Sequence, residues 1–327
     1  MLGSVHDADD AVQETLVRAW RGLAGLREGD SARAWLYKIA TNVCLTELER
    51  RGRRFLPHDF GPAAEANAPP GQPVVESTWI EPYPDESIGV PAGRATPDAA
   101  YEQHEALELA FVAALQHLVP NQRAVLILRE VLGFSAQEVA STLQTSVASV
   151  TSALQRARVA VRDRVPAESQ QANLRTLGDS GLRKLVDSYV NAWENCDVDA
   201  FVSLLTEDAT FAMPPLRTWY TPRALIASWA RAFSMSGAWR WRPLLTQANA
   251  QPALAFYAWD DSQAAYLPFA LNVLSLRAGA VSDVTAFIVR TIDAPEPEAY
   301  IRFPERPLDR RQVAGTFERF GLPEQLH

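Results

Sequence analysis

The chain has 327 residues, with 31 Lys and Arg against 39 Asp and Glu, a formal charge of −8, and two cysteines. That length supports two or three domains, and the acid excess excludes a generally basic nucleic-acid coat without excluding local DNA recognition, because net charge governs solubility and non-specific binding. Cys44 and Cys196 match no metal spacing, no apolar run reaches membrane-spanning length and no charged-then-apolar leader precedes the first motif; the expectation is a soluble cytoplasmic protein, off the membrane, with no metal, no cofactor and both thiols buried as small hydrophobes.

The segment Asp7-Ala-Asp-Asp-Ala-Val-Gln-Glu-Thr-Leu-Val-Arg-Ala-Trp20 predicts a helix. Val12, Leu16 and Ala19 fall at helical spacing, with Trp20 beside them, and are expected to face a core. Asp7, Asp9, Asp10 and Glu14 crowd the helix start, where the macrodipole favours carboxylates. That acidic face reads either as the cap of a solvated helix or as a docking surface for a basic partner, and both can hold.

A second helix begins at Arg33-Ala-Trp-Leu-Tyr-Lys38, with Trp35, Leu36, Ile39 and Val43 on one side. It closes in Arg50-Arg51-Gly52-Arg53-Arg54. Arg33, Lys38, Arg50 and Arg51 fit a phosphate track, each neutralised phosphate adding salt-sensitive affinity. Thr41 and Asn42 are placed to reach bases, whereas Trp35 reads as core before it reads as a stacking platform.

From Phe55 to about Ala100 the composition shifts to recurrent proline with acidic residues, the mark of an extended connector. Trp79-Ile-Glu-Pro-Tyr83-Pro is too aromatic for a pure spacer. It reads either as a motif docked on a folded surface or as an incidental anchor in a solvated tether.

Further on, Ser135-Ala-Gln-Glu138 is a capping box, in which Ser and Glu reciprocally satisfy free amides. It opens a short helix through Leu143, and Gln144-Thr145 turn the chain into Ser146–Arg158. At about 100° per residue Val150, Leu154, Ala157 and Val161 share one buried stripe. The opposite face carries Ala148, Ser152 and Gln155, with Ser146 and Ser149 at its start and Arg156, Arg158, Arg162 and Arg164 flanking it. Short helix, tight turn and basic second helix make a helix-turn-helix, whose second helix enters the major groove. A plain helical hairpin gives the same pattern, so this motif alone does not decide.

The last part reads as α+β. Leu182, Leu185, Val186, Tyr189, Val190 and Trp193 form a helical stripe, and Asp199 is expected to cap a second helix. Ala253–Trp259, Phe269–Arg277 and Val284–Ile292 are strand-like runs of a curved antiparallel sheet. No histidine lies between residues 166 and 326, which removes the usual near-neutral base. Asp260-Asp261 reads as a solvated turn. Tyr220, Tyr257 and Trp259 read as pocket lining or, more plainly, as core fill.

The segments Asp7–Trp20 and Arg33–Leu45 resemble region 2 of the sigma-70 family, extracytoplasmic-function (ECF) sigma factors. Leu115-Gln-His-Leu-Val-Pro-Asn-Gln-Arg-Ala-Val-Leu-Ile-Leu-Arg-Glu130 with the helix-turn-helix resembles region 4 of the same family. The C-terminal half resembles the SnoaL-like extension of the SigG/SigJ-type subgroup, where Phe211–Tyr220 matches a characteristic strand and loop. The resemblance implies that Asp7, Asp9, Asp10, Gln13 and Glu14 dock on the β′ clamp of core RNA polymerase. It implies that the second helix and the loop Leu26–Ala32 read and melt the −10 element, through Arg33, Lys38, Thr41, Asn42, Arg50 and Arg51. The helix-turn-helix would read the −35 element through Ser146, Ala148, Ser149, Ser152, Gln155, Arg156 and Arg158. Trp79 and Tyr83 would dock within the chain. Family members carry about one more helical hairpin ahead of Met1, so a start codon assigned too late, leaving region 2 N-terminally incomplete, is the expectation. Family members often place Gly where Gln144 stands; a left-handed residue other than Gly there costs roughly 1–2 kcal/mol.

The expected fold is multidomain: all-α region 2 (1–55), a Pro-rich acidic linker (56–100), all-α region 4 (101–165), a linker (166–180), an α+β SnoaL-like, nuclear transport factor 2-like cone (181–300) and a tail (301–327). The expected function is a sigma factor with no chemistry of its own, modulated by its cone. Its partners would be core RNA polymerase, promoter DNA and a small-molecule ligand in the cone. The rivals are a ligand-sensing one-component DNA-binding regulator and a SnoaL-type isomerase or cyclase on a DNA tether, the latter opposed by the missing acid–base set.

Overall fold

A computed structural model describes residues 1–25, 31–66, 68–70, 79–85, 104–289 and 316–327. The chain forms two compact units, Met1–Phe55 with Ala95–Ala167, and Leu56–Arg94 with Glu168–His327.

In the first unit α1 (Val5–Gly22) starts at Ser4, whose side chain accepts from the Asp7 amide, and α2 (Ala32–Arg51) starts at Ser31 in the same way. These are ordinary Ser caps that satisfy the free amides of a helix start. The two helices share a small core of Leu2, Ala11, Val43 and Leu48. The expected inward stripe of α1 is corrected: Val12, Leu16 and Trp20 are 58%, 59% and 80% exposed, and only Ala19 of that set is buried. The buried face is Ala11, Thr15 and Ala19, four residues apart, whose small side chains seat α1 on its neighbours while the bulky ones point away. Leu36 is likewise exposed rather than part of the α2 core.

The rest of this unit is helical: α3 (Leu109–Gln116), α4 (Pro120–Leu126) running into a π turn at Ile127–Val131, α5 (Ala136–Thr142) and α6 (Val147–Arg162). Its core takes Leu118, Val125, Leu128, Phe134 and Val139 together with Val150, Leu154, Ala157 and Val161, the α6 stripe set by helical spacing.

In the second unit α7 spans Gln170–Glu194, broken at Gly178 by a φ of 67°, a conformation glycine adopts without a Cβ penalty. Residues 166–180 are therefore no simple linker. Gln170 donates to the Leu276 carbonyl and accepts from the Leu276 amide, and Asn173 accepts from the Ala278 amide. Polar residues that resemble a tether in sequence are buried against the C-terminal end of the fifth strand of the sheet, residues 276–278. Helix α8 (Val198–Ser203) is capped by Asp197, which accepts from the Ala200 amide, not by Asp199. The strands are β1 (Leu205–Ala212), β2 (Trp219–Tyr220), β3 (Trp241–Ala248), β4 (Gln251–Asp260), β5 (Ala265–Arg277) and β6 (Ala280–Ile288), with α9 (Arg223–Ala232) between β2 and β3. The sheet order is β2-β1-β6-β5-β4-β3. It is mixed rather than purely antiparallel, because β6 returns beside β1 in the parallel sense. Tyr189, Trp193, Phe201, Phe211, Trp229 and Phe256 fill the core between helices and sheet. No helix among the described residues is long and apolar enough to cross a membrane.

Candidate functional site

The helix-turn-helix is held by local chemistry. Ser135 and Glu138 form the capping box, with the Glu138 carboxylate 2.7 Å from the Ser135 amide, and these contacts hold its carboxyl below the usual range. Gln144 is left-handed, with φ 51°, so the turn carries the penalty that glycine would avoid. Ser146 caps α6, accepting from the Ser149 amide at 3.1 Å. Ala148, Ser149, Ser152, Gln155, Arg156 and Arg158 are all exposed, opposite the buried stripe. Arg158 also reaches Glu130, at 2.6 Å.

The first two helices rearrange the expected set. Asp9, Asp10, Gln13 and Glu14 are exposed on one side of α1, and Glu14 pairs with Arg18 at 2.6 Å. Asp7 departs from that face: it is buried and forms ion pairs with both Arg54 and Arg51. The same contact gives Arg51 a partner inside the protein. Thr41 is buried as well, seven residues before Leu48 and on the same inner face of α2. Asn42 is exposed, Lys38 is half-buried, and Arg50 is exposed beside Glu47. Arg33 donates to the Leu132 carbonyl at 2.6 Å and lies over the Phe134 ring at 4.6 Å, while Tyr37 meets Phe134 edge-on at 5.4 Å. The start of α2 is thus engaged by the loop that leads into the helix-turn-helix. In the loop Leu26–Ala32, residues 26–30 lie outside the described residues.

In the second unit the proline-rich segment is seated on the cone. Trp79 is buried and packs on Phe60 of the same segment, ring centroids 5.0 Å apart, with Arg217 over the other ring at 5.0 Å. The half-buried Tyr83 donates its amide to Asn249 Oδ1 at 2.9 Å, and the Asn249 amide donates back to the Tyr83 carbonyl at 2.9 Å. Asp85 accepts from the Ala250 amide at 2.8 Å. Asn249 and Ala250 are both left-handed, which turns β3 into β4 and aims these groups at the segment. Sequence reading missed Asn249; an Asn in a tight turn was its only signal. Farther back, the Trp219 indole donates to the Gly61 carbonyl and the Tyr220 hydroxyl to the Ala68 carbonyl. In the tail Phe317 is buried edge-on against Tyr257, whose hydroxyl donates to the Pro323 carbonyl.

The cone holds a cavity of about 390 Å³ walled by Trp193, Phe211, Trp229, Trp241, Phe256 and Phe269. Tyr220, Tyr257 and Trp259 are not among its lining, and burial pushes the two phenols well above their usual range. Asp260 is buried rather than solvated, accepting from Ser262 and the Gln263 amide, while Asp261 pairs with Arg240 at the surface. Neither lines the cavity, and its described lining contains no Asp, Glu, His, Lys or Arg. No group of His, Cys, Asp or Glu suited to a metal occurs among the described residues. Cys44 and Cys196 are half-buried.

Comparison with known proteins covers all three parts. Residues 1–54 match Sigma-70 region 2, residues 108–161 match Sigma-70, region 4, and residues 186–286 match the SnoaL-like domain. The chain is 39% identical over 333 residues to the ECF RNA polymerase sigma factor SigG of Mycobacterium tuberculosis H37Rv, spanning all of this chain and 80% of that protein. It is 29% identical to the ECF RNA polymerase sigma factor SigE of Mycolicibacterium smegmatis over 52% of this chain and 56% of that one. The crystal structure of the M. tuberculosis ECF sigma factor SigJ shares the fold, with a TM-score of 0.54, 20% identity and 91% of each chain covered. With both helical regions in sigma order and that identity along its whole length, the chain belongs to the extracytoplasmic-function sigma factors, which initiate transcription with RNA polymerase.

Proposed function

We propose that Asp9, Asp10, Gln13 and Glu14 dock on the β′ clamp of core RNA polymerase and that α2 opens the −10 element through Lys38, Asn42 and Arg50. Arg33 joins that surface once its contacts with Leu132 and Phe134 are released. Region 4, residues 101–165, reads the −35 element: Ser149, Ser152 and Gln155 meet base edges, Ala148 leaves room for a thymine methyl, and Arg156 and Arg158 hold phosphates. The protein works in the cytoplasm. Its cone, with the segment seated on it by Asn249, modulates output and holds a small molecule without acting on it. The observation that carries this reading is α6, whose short polar and basic residues are exposed opposite a fully apolar stripe.

A run-off assay with core polymerase and a promoter library tests it. Transcripts should appear only with core present and should share a −35 and a −10 element. Promoter-specific DNA binding that is unchanged by core polymerase would favour the one-component regulator instead.

A further inference from the structure

Helix α6 carries a row of side chains beside the face already described. Val147 is 41% exposed and takes no part in the apolar core of this unit, and Thr151, one turn on, is exposed as well. Residues four apart stack on one side of a helix, so Val147, Thr151 and Gln155 form a single row. Val147 and Thr151 are both β-branched, which lowers helix propensity, and burial offsets that loss at neither position. The stability of the fold therefore explains neither residue.

The Thr151 hydroxyl is turned back onto its own helix. It donates to the Val147 carbonyl at 3.0 Å, the back-bond open to a helical Thr. Its proton is used inside α6, which leaves the methyl as the group that Thr151 presents outward, in line with those of Val147. The hydroxyls of the first turn are engaged as well: Ser146 accepts from the Ser149 amide, and the two hydroxyls lie 2.9 Å apart. Arg158, farther along the same side, is held by Glu130 at 2.6 Å. The row thus begins in methyl groups and reaches an amide only at Gln155.

We infer that Val147 and Thr151 are specificity-determining residues that read thymine methyl groups in the major groove, so that the −35 element is selected in part by apolar contact. The inference rests on the proposed reading of α6 as the −35 reader, and adds the chemistry of the contact and the residues that make it. The thymine methyl is the one apolar group that a base pair presents in the major groove, and Thr methyls are among its usual partners. The first residues of a recognition helix are also the ones that approach base edges. A methyl contact needs no donor from the protein, which fits a helix start whose hydroxyl protons are already used. Farther along the row, the Gln155 amide suits adenine. The row therefore reads methyl groups first and a hydrogen-bonding edge second.

The test uses holoenzyme formed with the full chain, on the promoter that it selects from a randomised −35 library. Each thymine of that element is replaced in turn by deoxyuridine, which removes the methyl and leaves every hydrogen-bonding edge intact. At one or more positions binding should weaken about four-fold, the effect of one buried methyl. Thr151→Val deletes the hydroxyl but keeps the outward methyl, and should bind as wild type does. Thr151→Ser keeps the hydroxyl and loses the methyl. It should weaken binding by the same factor and make the deoxyuridine exchange silent at the thymine it faces. Val147→Ala should silence the exchange at a different thymine. That pairing of one variant with one thymine is a readout that a loss of stability alone does not give. An element of G·C pairs alone, deoxyuridine without effect, or an effect undiminished in both Thr151→Ser and Val147→Ala would overturn the inference. So would a Thr151→Val protein that loses selectivity while Thr151→Ser keeps it; each of these leaves α6 reading bases by hydrogen bonds. A holoenzyme that selects no −35 element would overturn the proposed reading of α6 as well.

Discussion

Tyr83 and Asn249 clasp each other through reciprocal hydrogen bonds, amide to side-chain oxygen one way and amide to carbonyl the other, both 2.9 Å. The pairing resembles a strand pair, with a left-handed turn residue supplying an extra acceptor. Asn249→Gly keeps the backbone conformation and deletes that acceptor, leaving the Tyr83 amide short of a partner at a cost of about 1 kcal/mol. Amide exchange across residues 79–85 should then speed up about five-fold, and transcription output should change while promoter choice does not. Exchange at the wild-type rate would mean that the segment is held by its other contacts alone.

Asp7 and Arg54 are both buried, so their pair is structural. Breaking a buried ion pair typically costs several kcal/mol, and Asp7 serves both Arg54 and Arg51. Asp7→Asn should lower the urea stability of the protein by roughly 3 kcal/mol. The triple change of Asp9, Asp10 and Glu14 to Lys should leave the urea midpoint nearly unmoved and weaken core polymerase binding, because those carboxylates stand outside the fold. An Asp7→Asn protein that unfolds like wild type would show that Arg54 relies on other neighbours.

Sequence periodicity carried the helices and the α6 stripe, because Val150, Leu154, Ala157 and Val161 repeat at helical spacing while Ser152, Gln155 and Arg156 stand on other sides. It misplaced α1, where the bulky Val12, Leu16 and Trp20 offer far more apolar surface than Ala11, Thr15 and Ala19. The buried face there is chosen by how closely two helices approach, which is a property of the pair. Asp7 and Thr41 failed for the same reason: a partner 44 or 47 residues away, or a face of another helix, does not show in local pattern. In the cone Tyr220, Tyr257 and Trp259 read as pocket lining or core fill, and none lines the hollow, because that choice depends on the curvature of the sheet. Gln170 and Asn173 read as linker because polarity suggests solvent, and the end of β5 that supplies partners to both is about 105 residues away in the chain.

Asp283 makes the stability of the second unit depend on pH. Burial raises its carboxyl above the usual range, opposed by hydrogen bonds from Thr210 and Thr285 and by the nearby His58. A folded-state pKa above the unfolded one stabilises the fold fully only below the unfolded value, and that contribution is lost as pH rises through the folded value. Asp283→Asn stays neutral throughout. Relative to wild type it should therefore gain stability as pH rises from about 4 toward 7, measured as a growing difference in urea midpoint. A difference that is constant with pH would mean that the carboxyl titrates alike in folded and unfolded chains.

The side chains of α6 divide by what they touch, and the division predicts distinct binding phenotypes. Arg156 is an exposed cation on the flank, so Arg156→Ala should weaken binding of the holoenzyme to every promoter and reduce the salt slope by about 1. Arg158→Ala should do less, because Glu130 already holds that guanidinium and an incoming phosphate must compete for it. Ser152→Ala and Gln155→Ala should instead change which −35 sequence is preferred, by about 1–3 kcal/mol for each lost base contact. Ser146→Ala should act differently again. It removes the cap of α6 and should cost about 1 kcal/mol of helix stability, weakening all promoters through the fold. Competition binding against a randomised −35 library, repeated at several salt concentrations, separates the three classes. If the arginine variants shifted preference while the Ser152 and Gln155 variants did not, the face of α6 assigned to bases would be the wrong one.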